Sequence, residues 1–419
     1  MRRPLYGWLA AEALSITGTR VTMIAIPLFV LETTGSPTKT GLVAFAEMLP
    51  MVLLKVLGGP VIDKVGARRV TITCDLGSVV AVGAIPLLHD AGLMSFGLLL
   101  ALVAVVGALR GPGDAAKHAL IPALVIEAGV PMERATGLAS MVERTASMLG
   151  AGLAGLLVAG LGAANALLID AASFALSAAV LAWATRPMVA TRTPATESSP
   201  EAAPASEPTP YLEQLRAGWR FLRGDRVLLG ITLMVAMTNL VDAAWASVLM
   251  PVWAVESGHG AAGLGLVFAV FSGASAVGAV TAAVWASRLP RYATYVVAFL
   301  VCGAPRFVVI AFDSPLVVIG AVVVAAGFAS GFLNPILGAV IFERIPAPLV
   351  GRVSSLTTAI CFALLPFGGL LAGLLIAVGG LPFAMAACGV LYLAVTMLPA
   401  LDPRWREMDR RPEVAAARL

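Results

Sequence analysis

The feature that most constrains this chain is a succession of twelve apolar runs, each long enough to cross a bilayer and nearly free of charge. A spanning helix needs about 20 apolar residues. A window of about 19 residues finds such runs at 6–31, 40–62, 70–88, 94–110, 138–161 and 164–183, then at 227–250, 263–284, 293–312, 316–341, 356–378 and 381–401. In lipid every backbone N–H and C=O must be satisfied within the segment, so runs of this length are helices. With 59% hydrophobic and only 12% charged residues, the chain cannot be an ordinary water-soluble enzyme, whose charged fraction is roughly 25%. The expectation is an all-α polytopic membrane protein of two six-helix bundles, residues 1–186 and 226–402.

The charges orient the runs. Of 28 Lys and Arg, only Lys39 falls on the side opposite the termini, and Arg20, Lys55, Arg144 and Arg306 lie within runs. The rest fall on the side of the N-terminus, which places both termini in the cytoplasm by the positive-inside rule. The same asymmetry explains the net charge of +4 without a nucleic-acid partner. Basic residues precede the first run as in a signal peptide, but the run is long and no small-residue cleavage site interrupts it, so it reads as a retained crossing. Between the halves, 187–210 is rich in Pro, Ala, Ser, Thr and Glu and reads as a disordered cytoplasmic linker. Residues 211–225 place Leu212, Leu215, Trp219 and Leu222 at helical spacing beside Arg216, Arg220 and Arg223, an amphipathic helix suited to the inner membrane surface. Residues 403–419 read as a cytoplasmic tail. Cys74, Cys302, Cys361 and Cys388 sit in apolar runs without metal or redox spacing and read as small core residues.

The hairpin between the second and third runs reads Gly58-Gly59-Pro60-Val61-Ile62-Asp63-Lys64-Val65-Gly66-Ala67-Arg68-Arg69. Glycines permit a tight turn there, Asp63 is placed to accept hydrogen bonds at a helix start, and Arg68 and Arg69 anchor the cytoplasmic face. In this position the segment resembles the hairpin signature of the major facilitator superfamily, built on Gly59, Asp63, Gly66, Arg68 and Arg69. Residues 108–125, 169–178, 212–223 and 342–356 are similar to its exporter branch of enterobactin exporters, macrolide-efflux proteins and Tap-like multidrug pumps. The resemblance implies the major facilitator fold, alternating access, a cavity lined by crossings one, four, seven and ten, and proton-driven export. Gly150-Ala151-Gly152-Leu153-Ala154-Gly155 lacks the Gly-Pro that antiporters of the superfamily carry in the fifth crossing. Exporters of this branch often carry an acid after the glycine of the first crossing, where this chain reads Gly18-Thr19-Arg20, and Arg288-Leu289-Pro290-Arg291 is a degenerate second hairpin.

Charges inside the bilayer are expensive and are functional candidates. Counted from the terminus-bearing ends at 1.5 Å per residue, Arg20, Glu47, Asp242, Arg306 and Asp170 lie about 18–22 Å deep, and Glu12, Lys55, Asp75, Glu143 and Arg144 about 6–11 Å deep. Arg20 and Glu47, of equal depth and opposite sign on neighbouring helices, are read either as a static ion pair or as a proton-coupling pair whose separation lets Glu47 take a proton. Asp242, one turn after Asn239 and without a basic neighbour in sequence, is read as a site for a proton or a cationic substrate, or as the partner of Arg306. Asp170, with Ser173 and Ser177, is read as structural, and so is Arg306 beside the kink-forming Pro305. Glu12 with Lys55, and Asp75 with the hairpin arginines, are candidate inner-gate pairs. Thr17, Thr19, Asn239, Trp245 and Asn334 are candidate cavity residues, with Thr22 a further hydroxyl of the first crossing and Asn334-Pro335 interrupting the tenth. Trp8 and Trp253 are assigned to the interfacial belt, and Trp245 to the belt or to a ligand.

The composite expectation is a monomeric secondary transporter of the bacterial cell membrane. It exports an amphipathic drug, antibiotic or secondary metabolite by proton antiport, with no metal or cofactor and the proton motive force as energy source. Uptake by symport and a transport-inactive sensor or scaffold are the alternatives. Scattered histidines and the absence of a Gly-rich phosphate loop ending in Gly-Lys-Ser/Thr argue against enzymatic or ATP-driven chemistry.

Overall fold

The computed structural model describes residues 3–186, 211–285, 288–346 and 349–409, nearly all of them helical. The first six crossings are Arg3–Thr34, Pro37–Leu57, Ala67–Asp90, Phe96–Ala119, Met132–Leu161 and Ala163–Ala184. The seventh runs through Arg226–Ala244, a π-helical turn at Trp245–Leu249, and Met250–Glu256. The eighth is Gly260–Trp285, the ninth Arg291–Cys302 with Ala304–Ala311, and the tenth Leu316–Arg344. Among the described residues eleven helical stretches are long and apolar enough to cross a membrane, the last of them the 50-residue Arg352–Leu401, which holds the two final apolar runs. A straight helix of that length would be about 75 Å long, more than twice the hydrocarbon core. Gly380 resolves it: its φ of 77° and ψ of 178° are accessible only to glycine, and the chain reverses there to give an eleventh crossing over 350–379 and a twelfth over 381–397.

Several boundaries differ from those read in the sequence. The fourth helix does not stop at Arg110 but continues to Ala119, carrying Arg110, Asp114 and Lys117 within it. A hydropathy window ends where charges begin, whereas the helix tolerates them because they find partners. Pro335 lies inside the tenth helix without ending it, while the ninth breaks at Gly303, ahead of Pro305. The expected linker, 187–210, lies outside the described residues. Tyr211–Gly224 is helical as its pattern predicts, and Leu222 is buried against Leu228, Ile345 and Val353, so this helix docks on the second half. Residues 403–409 are not a free tail: Trp405 and Met408 are buried, and the Trp405 ring stacks 5.2 Å from that of Tyr295.

The packing repeats. In the first half the first helix packs on the fifth and sixth, the second on the fourth, and the third on the fourth and sixth; the second half repeats the last two relations, with the eighth helix on the tenth and the ninth on the tenth and twelfth. The halves meet through the fifth with the eighth and the second with the eleventh. Adding six to each number turns one interface into the other, as expected of two repeats related by a two-fold axis. Both interfaces are made by small residues, which let helices approach closely in lipid. A Cβ at Gly155 would lie 2.7 Å from the Gly265 Cα, and one at Gly369 would lie 2.8 Å from Ala44 Cβ. The Phe45 and Phe367 rings meet at 5.5 Å, and the Thr38 hydroxyl donates to the Gly373 carbonyl at 3.4 Å. These contacts gather toward the ends of the helices remote from the termini.

Candidate functional site

A cavity of about 470 Å³ lies between the halves. Most of its wall comes from the seventh, eighth, ninth, tenth and twelfth crossings, through residues such as Asn239, Asp242, Phe271, Arg306, Asn334 and Tyr392. The first half contributes Arg20, Met23 and Ile24 from the first crossing and Ala151 from the fifth. Among the described residues, the fourth crossing, expected to line the cavity, contributes none to its wall, and its Arg110 is turned toward Glu47. Trp245 belongs to the cavity rather than the belt: it is buried, its ring meets Phe307 edge-on at 4.9 Å, and it opens the π-helical turn. Such turns are frequent at functional sites.

The deep charges pair by direction as well as depth. Arg306 is joined to Asp242, so the acid does have a basic partner, the one that matching depth pointed to. The Arg306 guanidinium is packed among the rings of Phe307 at 4.9 Å, Trp245 at 5.1 Å and Tyr392 at 5.2 Å, favourable ground for a cation. Its side chain is 7% exposed while that of Asp242 is 42% exposed, so the pair shows the cavity its acidic face. Arg20 and Glu47 do not pair. Glu47 accepts from Arg110 at 3.1 Å, on the face where the second helix meets the fourth so closely that a Cβ at Gly107 would strike the Glu47 carbonyl. Arg20 points to the fifth helix instead, where it donates to the Ser147 hydroxyl at 2.9 Å.

Comparison with known proteins bears on what this architecture is for. The Major Facilitator Superfamily sequence profile matches residues 8–365. The chain belongs to the major facilitator superfamily. Multidrug efflux pump Tap of Mycobacterium tuberculosis (strain ATCC 25618 / H37Rv) is 30% identical over 416 residues, 98% of this chain and 96% of that protein. Multidrug efflux pump Tap of Mycolicibacterium fortuitum is 29% identical over 97% of this chain and 98% of that one. Among solved structures, the nucleoside transporter NupG superposes with a TM-score of 0.71 at 14% identity, covering 98% of this chain and 100% of that one. A bacterial homolog of the human lysosomal transporter Spinster, inward-facing and unoccupied, gives 0.70 at 15% identity, with 98% of each chain covered. The protein is therefore a multi-pass membrane transporter of this superfamily, with its all-α fold of two six-helix bundles.

The superfamily hairpin is built differently from the reading of its sequence. Residues Gly59–Val65 form a short helix and Gly66, at φ 90°, makes the turn into the third crossing. Asp63 is exposed within the short helix and caps nothing. Arg68 donates to the Thr185 hydroxyl at 2.7 Å and the Ala182 carbonyl at 3.0 Å, closing the end of the sixth crossing, while Arg69 is exposed. Gly59 has open space where a Cβ would sit; the crowded glycine is Gly58, 2.5 Å from the Leu54 carbonyl by the same measure.

The expected inner-gate pairs are replaced by one cluster that sequence reasoning missed. Lys117, which lies beyond the end of the fourth apolar run, is buried and donates to the Ser15 hydroxyl at 2.5 Å. Its ammonium lies 3.4 Å from Asp75 and 4.0 Å from Glu12. Asp75 also accepts from Ser177 at 2.8 Å, so it answers Lys117 and the sixth crossing, not the hairpin arginines. Lys55 leaves Glu12 and reaches over the Phe362 ring of the other half at 5.9 Å. Glu143 and Arg144 are exposed. Asp170 is buried and accepts from Thr22 and, at 3.2 Å, from Ser173, as a structural acid would, but Ser177 is not among its partners.

The remaining candidates divide. Asn239 lines the cavity and donates to the Cys361 carbonyl at 2.9 Å, just before residues 364–366, where the eleventh crossing is interrupted between Val350–Ala363 and the helix that begins at Phe367. Asn334 is exposed into the cavity. Thr17 and Thr19 are half-buried outside its wall, and Thr17 backs onto Gly150. Trp8 and Trp253 are not belt residues: both are 2% exposed, Trp8 donating to the Lys117 carbonyl at 3.1 Å and Trp253 packing edge-on against His259 at 5.3 Å. An indole ring without its neighbours is ambiguous, since the same apolar body and polar tip serve a belt or a buried hydrogen bond.

Proposed function

We propose that this transporter exports amphipathic small molecules, such as drugs, antibiotics or secondary metabolites, across the bacterial cell membrane by alternating access coupled to proton antiport. The observation that carries the reading is the cavity between the halves, lined by aromatic rings and by the Asp242–Arg306 pair. It lies on the terminus-bearing side of the tight glycine contacts between the halves. The concentration of basic residues on that side supports its being the cytoplasmic one, which has the cavity loaded from within and its far side closed. Two relatives named multidrug efflux pumps, similar over nearly the whole chain, support export as the direction. For protons, the acids within reach of a moving interface are Asp242 and Glu47, each held by an arginine, Arg306 and Arg110. Each pair lies within one half, so rocking of the halves does not part it by itself; a carboxylate whose arginine is drawn toward a bound substrate gains proton affinity, and this is the physical link required for antiport. The protein works as a monomer, since both halves of the cavity come from one chain.

The decisive test is proton flux in inside-out vesicles against a compound panel. Substrate-dependent proton release from the vesicle lumen is expected, and the absence of any such release across a broad panel would remove proton antiport.

A further inference from the structure

The cavity has an uneven charge. On its second-half wall Arg306 is neutralised by Asp242. On its first-half wall stands Arg20, which among the described residues has no acid at ion-pair distance: its guanidinium is held by the Ser147 hydroxyl at 2.9 Å and the Met23 sulfur at 3.4 Å, its Nε is buried without a hydrogen bond, and the exposed Glu143, one turn before Ser147, acts on it only through space. The neighbouring cation, Arg110, is committed to Glu47. A cation left partly unsatisfied in a low-dielectric site is costly unless something answers it, and here nothing in the wall does. The ring-bearing residues, Phe268, Phe271 and Trp245, belong to the opposite half.

We propose that the cavity selects amphipathic molecules bearing a negatively charged group, which binds Arg20 while the aromatic or apolar body lies against Phe268 and Phe271. This rests on the transport reading above and names its substrate class. A cationic amphiphile would meet the like charge of Arg20 as it entered, and it could gain only the exposed edge of an Asp242 already paired. An anion supplies the missing partner through a charge-assisted hydrogen bond, enough for about a tenfold preference. Because Arg20 belongs to the first half and the rings to the second, such a ligand ties the two halves together. It therefore favours the state in which they are closest around it, the differential binding that a ligand-driven transition requires.

The test uses the full chain in nanodiscs and three matched fluorescent probes: anthracene-9-carboxylate, 9-(aminomethyl)anthracene and the neutral 9-anthracenemethanol. Fluorescence anisotropy should give the carboxylate a Kd about tenfold or more below that of the ammonium, with the alcohol between them. Arg20→Gln should abolish the preference, Arg20→Lys should retain most of it, and Phe271→Ala should weaken all three probes alike. A stronger ammonium, no carboxylate binding, or an unchanged preference in a folded, monodisperse Arg20→Gln overturns the proposal. Inside-out vesicles separate it from the transport reading. Accumulation of the ammonium probe without carboxylate binding leaves export standing and sinks this inference, whereas a carboxylate preference with no accumulation of any probe upholds the inference and counts against export.

Discussion

At the scale of residues, the behaviour of a buried charge here is set by its partner. Asp242 and Arg306 form a pair in which the arginine is almost fully buried and the acid is open to the cavity. Asp242→Ala leaves that arginine uncompensated, and breaking a buried pair costs about 3–5 kcal/mol; the exposure of Asp242 puts the loss at the lower end. The double variant Asp242→Asn with Arg306→Gln removes both charges and should recover a substantial part of the stability lost by Asp242→Ala, as thermal unfolding in detergent would record. If the double variant unfolds no later than Asp242→Ala, the pair is not the unit of stability. Glu47→Gln should abolish substrate-driven proton release while ligand binding persists, and normal proton-coupled export by that variant would exclude Glu47 from coupling. Position in sequence gave the depth of these groups. It could not give their direction, because each residue turns a helix face by about 100°, and at one depth Arg20 faces the fifth crossing while Glu47 faces the fourth.

At the scale of elements, the fourth crossing shows why a charged helix end is hard to read. Its apolar window stops near Arg110, yet the helix continues to Ala119 because Lys117 is answered by Glu12, Asp75 and Ser15 on two other crossings. Lys117→Met should strand two buried carboxylates and cost about 3–5 kcal/mol; adding Asp75→Asn and Glu12→Gln should restore part of the loss, measured by thermal midpoint. The eleventh and twelfth crossings show the opposite case, a turn without any polar residue, marked in the sequence only by Gly379 and Gly380 between two apolar runs. Gly380→Ala forces an L-residue into glycine's region, a cost of order 1–3 kcal/mol, and should reduce the yield of monodisperse protein. At the fifth–eighth interface, Gly265→Val sets a side chain within 2.6 Å of the Gly155 Cα. It should part the halves on the far side, so that Ala151→Cys in that background reacts with an impermeant thiol reagent added from outside. Lack of labelling would mean that this contact does not close the far side.

At the scale of the whole molecule, the two halves are joined by small-residue contacts at one end and line a cavity between them. The proposed alternating access requires the terminus-bearing ends to approach. Spin labels at Met141→Cys on the fifth crossing and Val284→Cys on the eighth, both exposed, should report a shorter distance when substrate binds, and an unchanged distance distribution would argue against rocking of the halves. The sequence by itself determined the crossings, their six-plus-six grouping, the basic face and the superfamily hairpin. These are local properties: an apolar run must be helical in lipid whatever surrounds it, and loop charges are counted one loop at a time. Only the tertiary structure decided that Glu47 answers Arg110, that Lys117 is buried, that Trp8 and Trp253 are core residues, and that Arg20 enters the cavity without an acid at ion-pair distance. Those depend on the rotation and lateral order of the helices, which are fixed by packing between segments far apart in sequence, and the energy of a buried charge is decided by the groups that this packing brings to it.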